Sequence, residues 1–315
     1  MVDLSTSLSD APVLVIGSAG VDIIGRLDRQ SLSGTSNPGH IRTSFGGVAR
    51  NVAENLARLG QPVNFISVVG QDTIGVDLLH QLESAGVDVS AVLRTNKHST
   101  GTYLGVVNSI GELQFGINDL RATSLLSPEY LRKHIDLFKN ASMLFFDANL
   151  GRAAIKTIMS LANRARLKVC ADPTSIFLAD RLCPYMSRLS LITPNSSEAS
   201  VLCGNPVDAS QFREAMETAK FLVSQGADVV LITLAEFGVV YASSEGSGHV
   251  PSIRTKILDP TGAGDALTAT VIFSMLNNIS LDDGVRLGVS AASLTLHHSG
   301  SVRPDLSLEL LYEHL

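Results

Sequence analysis

Cysteine is scarce and poorly spaced for cross-linking. Cys170, Cys183 and Cys203 form an odd set with no C-x-x-C pair, so neither a disulfide framework nor a zinc site of the usual spacing is expected. Reduced thiols in a cytoplasmic protein follow. Basic residues never form a run, and 24 Lys and Arg against 30 Asp and Glu leave a formal charge of -6, which argues against a nucleic-acid partner. No apolar stretch approaches the roughly 20 residues of a membrane span, and the opening MVDLSTSLSD lacks the basic-then-apolar order of a secretory leader. The phosphate-binding pattern GxxxxGK[ST] is missing as well. GSAGVDIIG at 17 to 25 follows a strand-like run as a dinucleotide fingerprint would, but its spacing is wrong and an extended segment follows it.

What the chain has in quantity is apolar residues, 45% of the 315, enough for a substantial core. Short β-rich runs alternate with longer helical patterns: VLVIGSA, VARNVAENLARLG, VNFISVVG, TIGVDLLHQLESAG, then ASMLFFDAN onward to two closing helices. This rhythm predicts parallel strands joined by crossover helices, an α/β fold with a doubly wound, mostly parallel sheet covered on both faces. The whole of 1–315 is expected to form one domain. Two segments, about 23–45 and 95–120, break the rhythm with short extended pieces and turns, including a Gly-Glu turn at Gly111 and Glu112. They can form a small separate sheet at the edge of the main body, a lid, or two ordinary surface hairpins.

Three stretches carry chemistry. In TGAGD, 261 to 265, Gly262 and Gly264 let successive backbone N–H groups point one way at a helix start, where the helix dipole adds positive potential, so an anion such as phosphate is the natural guest. Asp265 in that first turn either complements the dipole or serves as a general base. In SFGGVARNVAENLARLG, Gly46 and Gly47 permit close backbone approach, and Asn51 lies one turn into the helix, either facing the same mouth to bind sugar hydroxyls or satisfied within the helix. Asp22 is expected at the end of the first strand, either at the carboxyl edge where open α/β sheets bind ligands or as a solvated loop residue. In TPNSSEAS, Asn195 and Glu198 stand three apart, a spacing that suits either water-mediated support of a magnesium ion or a capping box. His297 and His298 near Gly300 suit a helix end better than a metal.

DPTGAGD near the C-terminus together with GG-x-x-x-N near the N-terminus resembles the ribokinase-like, or PfkB-type, carbohydrate and nucleoside kinases over nearly the whole chain. The resemblance implies ATP-dependent phosphoryl transfer to a sugar hydroxymethyl group, with a β-sheet lid built from the two inserts. It implies Asp265 as catalytic base and Gly262, Ala263 and Gly264 as an anion hole. Asp22, Gly46, Gly47 and Asn51 would hold sugar hydroxyls, and Asn195, Thr233 and Gly238 the nucleotide. Glu198 would support Mg2+ through water, while Asp259 and the Gly300 loop match a region where many members hold a monovalent cation such as K+. A homodimer through the lid is implied too. Within the family, NPGHIRTSFGGVARNVAENLARLG, GELQFGINDL, DANL and DPTSIFLADRL are most similar to the pseudouridine kinases, implying attack by a nucleoside 5'-hydroxyl. The rival readings are a ribose, adenosine or fructose kinase, or a silent kinase-like regulator. Two departures from the family pattern stand out: Ala235 replaces the first glycine of TLGxxG, and IFLADR after DPTS lacks a lysine.

Overall fold

The computed structural model describes residues 10–110 and 112–315. Gly111 of the expected turn, and the first nine residues of the opening stretch, lie outside them. The strands in chain order are β1 (Val13–Ile16), β2 (Gly20–Leu27), β3 (Gly39–Gly46), β4 (Val63–Ile66), β5 (Val68–Gly70), β6 (Val87–Asp88), β7 (Leu93–Thr95), β8 (Gly101–Val107), β9 (Leu113–Asp119), β10 (Met143–Asp147), β11 (Val169–Asp172), β12 (Leu191–Ile192), β13 (Val229–Thr233), β14 (Val239–Ser243) and β15 (Ser247–Val250).

Nine of them form the main sheet in the order β15-β14-β13-β12-β11-β10-β1-β4-β6. It is parallel from β13 to β6, with β14 and β15 added antiparallel. Central strands covered on both faces need continuous apolar runs, and VLVI of β1 and MLFFD of β10 are buried throughout. Alternate residues then feed opposite layers. Val13, Val15 and Phe145 pack with the helices Val48–Arg58, Ala263–Leu276 and Leu281–Leu296, whereas Leu14, Ile16 and Phe146 pack with Arg152–Ala165 and Phe212–Ser224. The strand order reverses at β1, which lies between β4 and β10, so a crevice opens at the carboxyl ends of these strands.

A second sheet has the order β3-β2-β8-β9, in which β2 pairs parallel with β8 and antiparallel with β3, and β8 antiparallel with β9. Both irregular segments of the sequence thus meet in one four-stranded sheet. Register and side-chain alternation put Asp22, Ile24, Arg42, Ser44, Tyr103 and Asn118 on one face. The ion pair of Arg42 with Asp259 at 2.7 Å turns that face toward the TGAGD segment. The opposite face carries Ile41, Leu104, Phe115 and Ile117, all exposed.

Candidate functional site

The helix Ala263–Leu276 begins at Gly262, whose φ of 81° is a left-handed conformation that side chains disfavour. A Cβ there would also strike the Ser301 carbonyl oxygen. The first helical hydrogen bond runs from Ala266 N–H to Gly262 O at 2.9 Å, so the amides of Ala263, Gly264 and Asp265 precede it and are free for an anion. Nothing lies within 4 Å of a Cβ built on Gly264, which leaves the backbone open to a guest.

Asp265 Oδ2 accepts a 2.7 Å hydrogen bond from Asn51 Nδ2. Asn51 is in turn fixed through its Oδ1, which accepts from Arg50 Nη1 at 2.8 Å and Ser301 Oγ at 3.1 Å. Arg50 is wholly buried, paired with Glu54 and placed over the Phe45 ring, so the amide orientation of Asn51 is set from behind. Burial pushes the Asp265 carboxyl up to about 7, the negative Asp22 and Asp147 adding to the shift while Asn51 and Arg50 oppose it. The side chain retains some solvent access at the crevice, yet desolvation by the surrounding protein dominates.

Asp22 lies within β2 of the second sheet and not at the end of the first strand, because Gly17–Ala19 end β1 before it; its carboxyl is likewise raised, to about 6, chiefly by burial against the pull of Arg50. Gly46 lies against its carboxylate and leaves no room for a Cβ, while Gly47, with φ of 98°, starts the helix carrying Asn51. Gly46, Gly47, Asp22, Asn51 and Asp265 therefore share one corner. Asp147 organises it from below, accepting from Ser18 N at 2.8 Å, Ser18 Oγ at 2.6 Å, Ala49 N at 3.0 Å and Asn149 N at 3.0 Å.

On the other side of the Gly262–Asp265 turn lies a cavity of about 960 Å³. Asn195, Thr233, Gly238, Ala263 and Gly264 line it, with Ile253, Leu267, Val289 and Leu296 supplying an apolar wall. Ala235, also in the lining, has φ of 50°, so the alanine occupies a conformation natural to glycine. Asn195 and Glu198 form a capping box: Glu198 N donates to Asn195 Oδ1 at 2.9 Å and Asn195 N to Glu198 Oε2 at 2.9 Å. Glu198 is nonetheless raised by burial, and Asp172 at the end of β11 is raised well above the usual range by burial and by the nearby Glu198 and Asp265 charges. Such crowded carboxylates fit a cation held mainly by phosphates and water. Among the described residues no cluster of three or more His, Cys, Asp or Glu can hold a metal by itself.

Asp259 does not fit a cation site in this arrangement. Its buried carboxylate already pairs with Arg42, accepts from Thr261 N at 3.0 Å through Oδ1 and from Gly300 N at 3.0 Å through Oδ2. The Gly300 N–H is thus turned toward the carboxylate. His297 caps the helix Leu281–Leu296, its Nδ1 3.2 Å from Lys256 O. Arg42, Asp147, Asp172 and Ser301 join the site without having been singled out in the sequence. Asp147 and Asp172 each close a β-rich run, the available signal, but only the parallel order of β10 and β11 puts them together.

The pfkB family carbohydrate kinase profile matches residues 10–307. Among curated proteins the chain is 30% identical over 297 residues to the pseudouridine kinase of Escherichia coli, covering 94% of each chain. It is 30% identical to the guanosine-inosine kinase of Exiguobacterium acetylicum, covering 89% of this chain and 93% of that one. With mouse ribokinase the identity is 27%, covering 95% of each. A solved structure of Arabidopsis thaliana ribokinase complexed with ribose and ATP superposes with a TM-score of 0.85 at 22% identity, covering 97% of this chain and 99% of that one. Giardia lamblia ribokinase gives 0.84 at 20% identity, covering 97% and 100%.

Proposed function

Since the chain belongs to the pfkB family of carbohydrate kinases, phosphotransferases with hydroxyl acceptors, we propose that it moves the γ-phosphoryl group of ATP to the 5'-hydroxyl of a nucleoside, with pseudouridine preferred. The observation that carries the reading is Asp265. A carboxyl raised to about 7, fixed by Asn51 and set beside open helix-terminal amides, joins a proton acceptor to an anion cradle.

In this mechanism ATP occupies the 960 Å³ cavity, its base against the apolar wall and its phosphates directed to Ala263 and Gly264. Asn195, Thr233 and Gly238 border the nucleotide. Asp22, Asn51 and the backbone of Gly46 and Gly47 hold the acceptor's hydroxyls, with the 5'-hydroxyl against Asp265. Ionised Asp265 takes the hydroxyl proton as the oxygen attacks the γ-phosphorus and the bond to the β-phosphate oxygen breaks, releasing ADP, while the Gly262–Gly264 turn stabilises the charge on the moving phosphoryl. Glu198, with Asp172 nearby, would hold water on a magnesium ion, which when bound neutralises phosphate charge.

The sheet β3-β2-β8-β9 serves as a lid that keeps water from the γ-phosphate. Its outer face, with Leu104, Phe115 and Ile117 exposed, supports a homodimer through that face. The free thiols of Cys170, Cys183 and Cys203 support a cytoplasmic site of action, and no helix among the described residues is long and apolar enough to cross a membrane.

Steady-state assays with ATP and pseudouridine, uridine, guanosine, adenosine, ribose and fructose test the assignment. A highest kcat/KM for pseudouridine is expected; a preference for ribose overturns it in favour of a sugar kinase.

A further inference from the structure

A proton acceptor works only while its neighbours favour the ionised form. Asp265 is bonded to the Asn51 carboxamide, a group with two sides of opposite sense: its N–H side supports a carboxylate, whereas its oxygen side supports the protonated acid. A half-turn about the last side-chain bond exchanges the two with little change of shape. In this chain the N–H side faces the base, Nδ2 donating to Asp265 Oδ2 at 2.7 Å. While Asp265 is ionised, it selects that orientation itself. Once it has taken the hydroxyl proton the selection ends, because a protonated carboxyl can donate to an amide oxygen as well as accept from an amide N–H.

Two donors behind Asn51 supply what the protonated base cannot. Arg50 Nη1 donates to Asn51 Oδ1 at 2.8 Å, and Ser301 Oγ donates to the same oxygen at 3.1 Å. A guanidinium has no acceptor, so a rotated Asn51 would set its NH2 group against N–H groups. Arg50 cannot move aside to relieve that clash. It is wholly buried, its Nη2 pairs with Glu54, and its Cζ lies 5.9 Å from the centroid of the Phe45 ring. Glu54 is held in turn by Arg58 at 3.0 Å and Gln81 at 3.3 Å. Ser301 shares its one proton between Asn51 Oδ1 and Phe45 O and accepts from Arg50 Nη1 at 3.2 Å, while its carbonyl oxygen fills the space beside Gly262. The two residues therefore tie the helix Val48–Arg58 and the end of β3 to the turn that forms the anion cradle.

We propose that Arg50 and Ser301 are positioning residues that hold the Asn51 carboxamide as a one-way donor, so that Asp265 meets an N–H and never an amide oxygen, both before and after it takes the proton. This rests on Asp265 being the base. It goes further by assigning the upkeep of that base to two residues standing behind Asn51. The surrounding acids make the donor matter: Asp22 on β2 and Asp147 on β10 oppose ionisation of Asp265, and Asp172 on β11 interacts with it as a like charge, leaving the Asn51 N–H and the Arg50 charge to favour the carboxylate.

The test is the pH dependence of kcat/KM for pseudouridine at saturating ATP, with KM for ATP alongside, in the wild type, Arg50→Met and Ser301→Ala. Glu54 keeps its 3.0 Å bond from Arg58 when Arg50 is removed, and Ser301→Ala leaves the whole ion-pair cluster in place. A hydrogen bond to a charged group is worth roughly 10- to 150-fold, so a rotated Asn51 is expected to lift the midpoint of the Arg50→Met profile by about one pH unit or more. In Ser301→Ala, where Arg50 still donates, the midpoint is expected to move the same way by less. The rate lost at neutral pH should return as the pH is raised to about 9, with KM for ATP within about twofold of wild type throughout. Midpoints unmoved in both variants, whatever the fall in rate, overturn the inference, since a residue that merely supports the fold lowers the rate equally at every pH. A midpoint that moves in Arg50→Met while Ser301→Ala keeps the wild-type profile shows the Arg50 charge acting directly on Asp265, and overturns it too. If Asp265→Asn turns over like the wild type, the base assignment beneath it falls instead.

Discussion

Replacing Asp265 by Asn separates chemistry from structure more sharply than any other change at this site. The amide oxygen of an asparagine can still accept the hydrogen bond from Asn51 Nδ2, so the corner around Gly46 and Gly47 is retained. What disappears is the proton acceptor. Loss of a positioned base costs about 10² to 10⁴ in kcat, or about 3 to 5 kcal/mol of barrier. Stability moves the opposite way. The folded carboxyl titrates at about 7 against an ordinary 3.8, so the folded state binds this proton more tightly than the unfolded chain. The native state therefore loses stability as pH rises from about 4 to about 7, and the neutral amide escapes that loss. Thermal melts should show Asp265→Asn above the wild type at pH 8, with the gap closing toward pH 4. In the wild type, kcat/KM should climb with pH through a midpoint near 7 as the base ionises. A well-folded variant retaining kcat within about 10-fold of wild type at pH 8 refutes the assignment of Asp265 as base.

Position 262 should tolerate nothing larger than glycine: Gly262→Ala places a methyl into the Ser301 carbonyl at a positive φ and should cost more than about 2 kcal/mol in urea denaturation. Arg42→Ala strips the buried Asp259 of its ion-pair partner and should destabilise by about 2 to 4 kcal/mol while lowering kcat/KM; no change in either measurement would remove Arg42 from the site. Because Asp259 is already occupied by Arg42 and two amides, turnover should be the same in potassium and tetramethylammonium salts, and a strict requirement for K+ would contradict that geometry. Ala235→Gly relieves the left-handed alanine but frees the unfolded chain, so stability should shift by less than about 1 kcal/mol, with any change in KM confined to ATP.

Much of this architecture is written locally. The alternation of apolar runs with helical patterns specifies the parallel core because each crossover buries one helix against neighbouring strands. TGAGD can be read as a candidate anion cradle from two glycines at a helix start, a property of a few adjacent residues. The lid's topology is different in kind. The parallel pairing of β2 with β8 joins segments that no local pattern relates, and the face shared by Asp22, Tyr103 and Asn118 exists only once that register is set. Asp147 and Asp172 illustrate the same limit, since a lone acid at a strand end gains meaning from its spatial neighbours. For Asn195 and Glu198, spacing alone left capping and ion support open, and the geometry displays the capping box directly.

Only Gly17, Ser18 and Ala19 separate β1, deep in the main sheet, from β2 of the lid, and Asp147 grips Ser18 through both its amide and its hydroxyl. Mechanically this link is an axle. Displacement about an axle grows with distance from it, so in the proposed lid closure Asp22, three residues beyond the link, would stay almost still while Asn118, two strands farther out, would travel most. Acceptor binding would then acquire an order in time, the Asp22 end meeting a surface already in place and the outer edge of the sheet arriving after it.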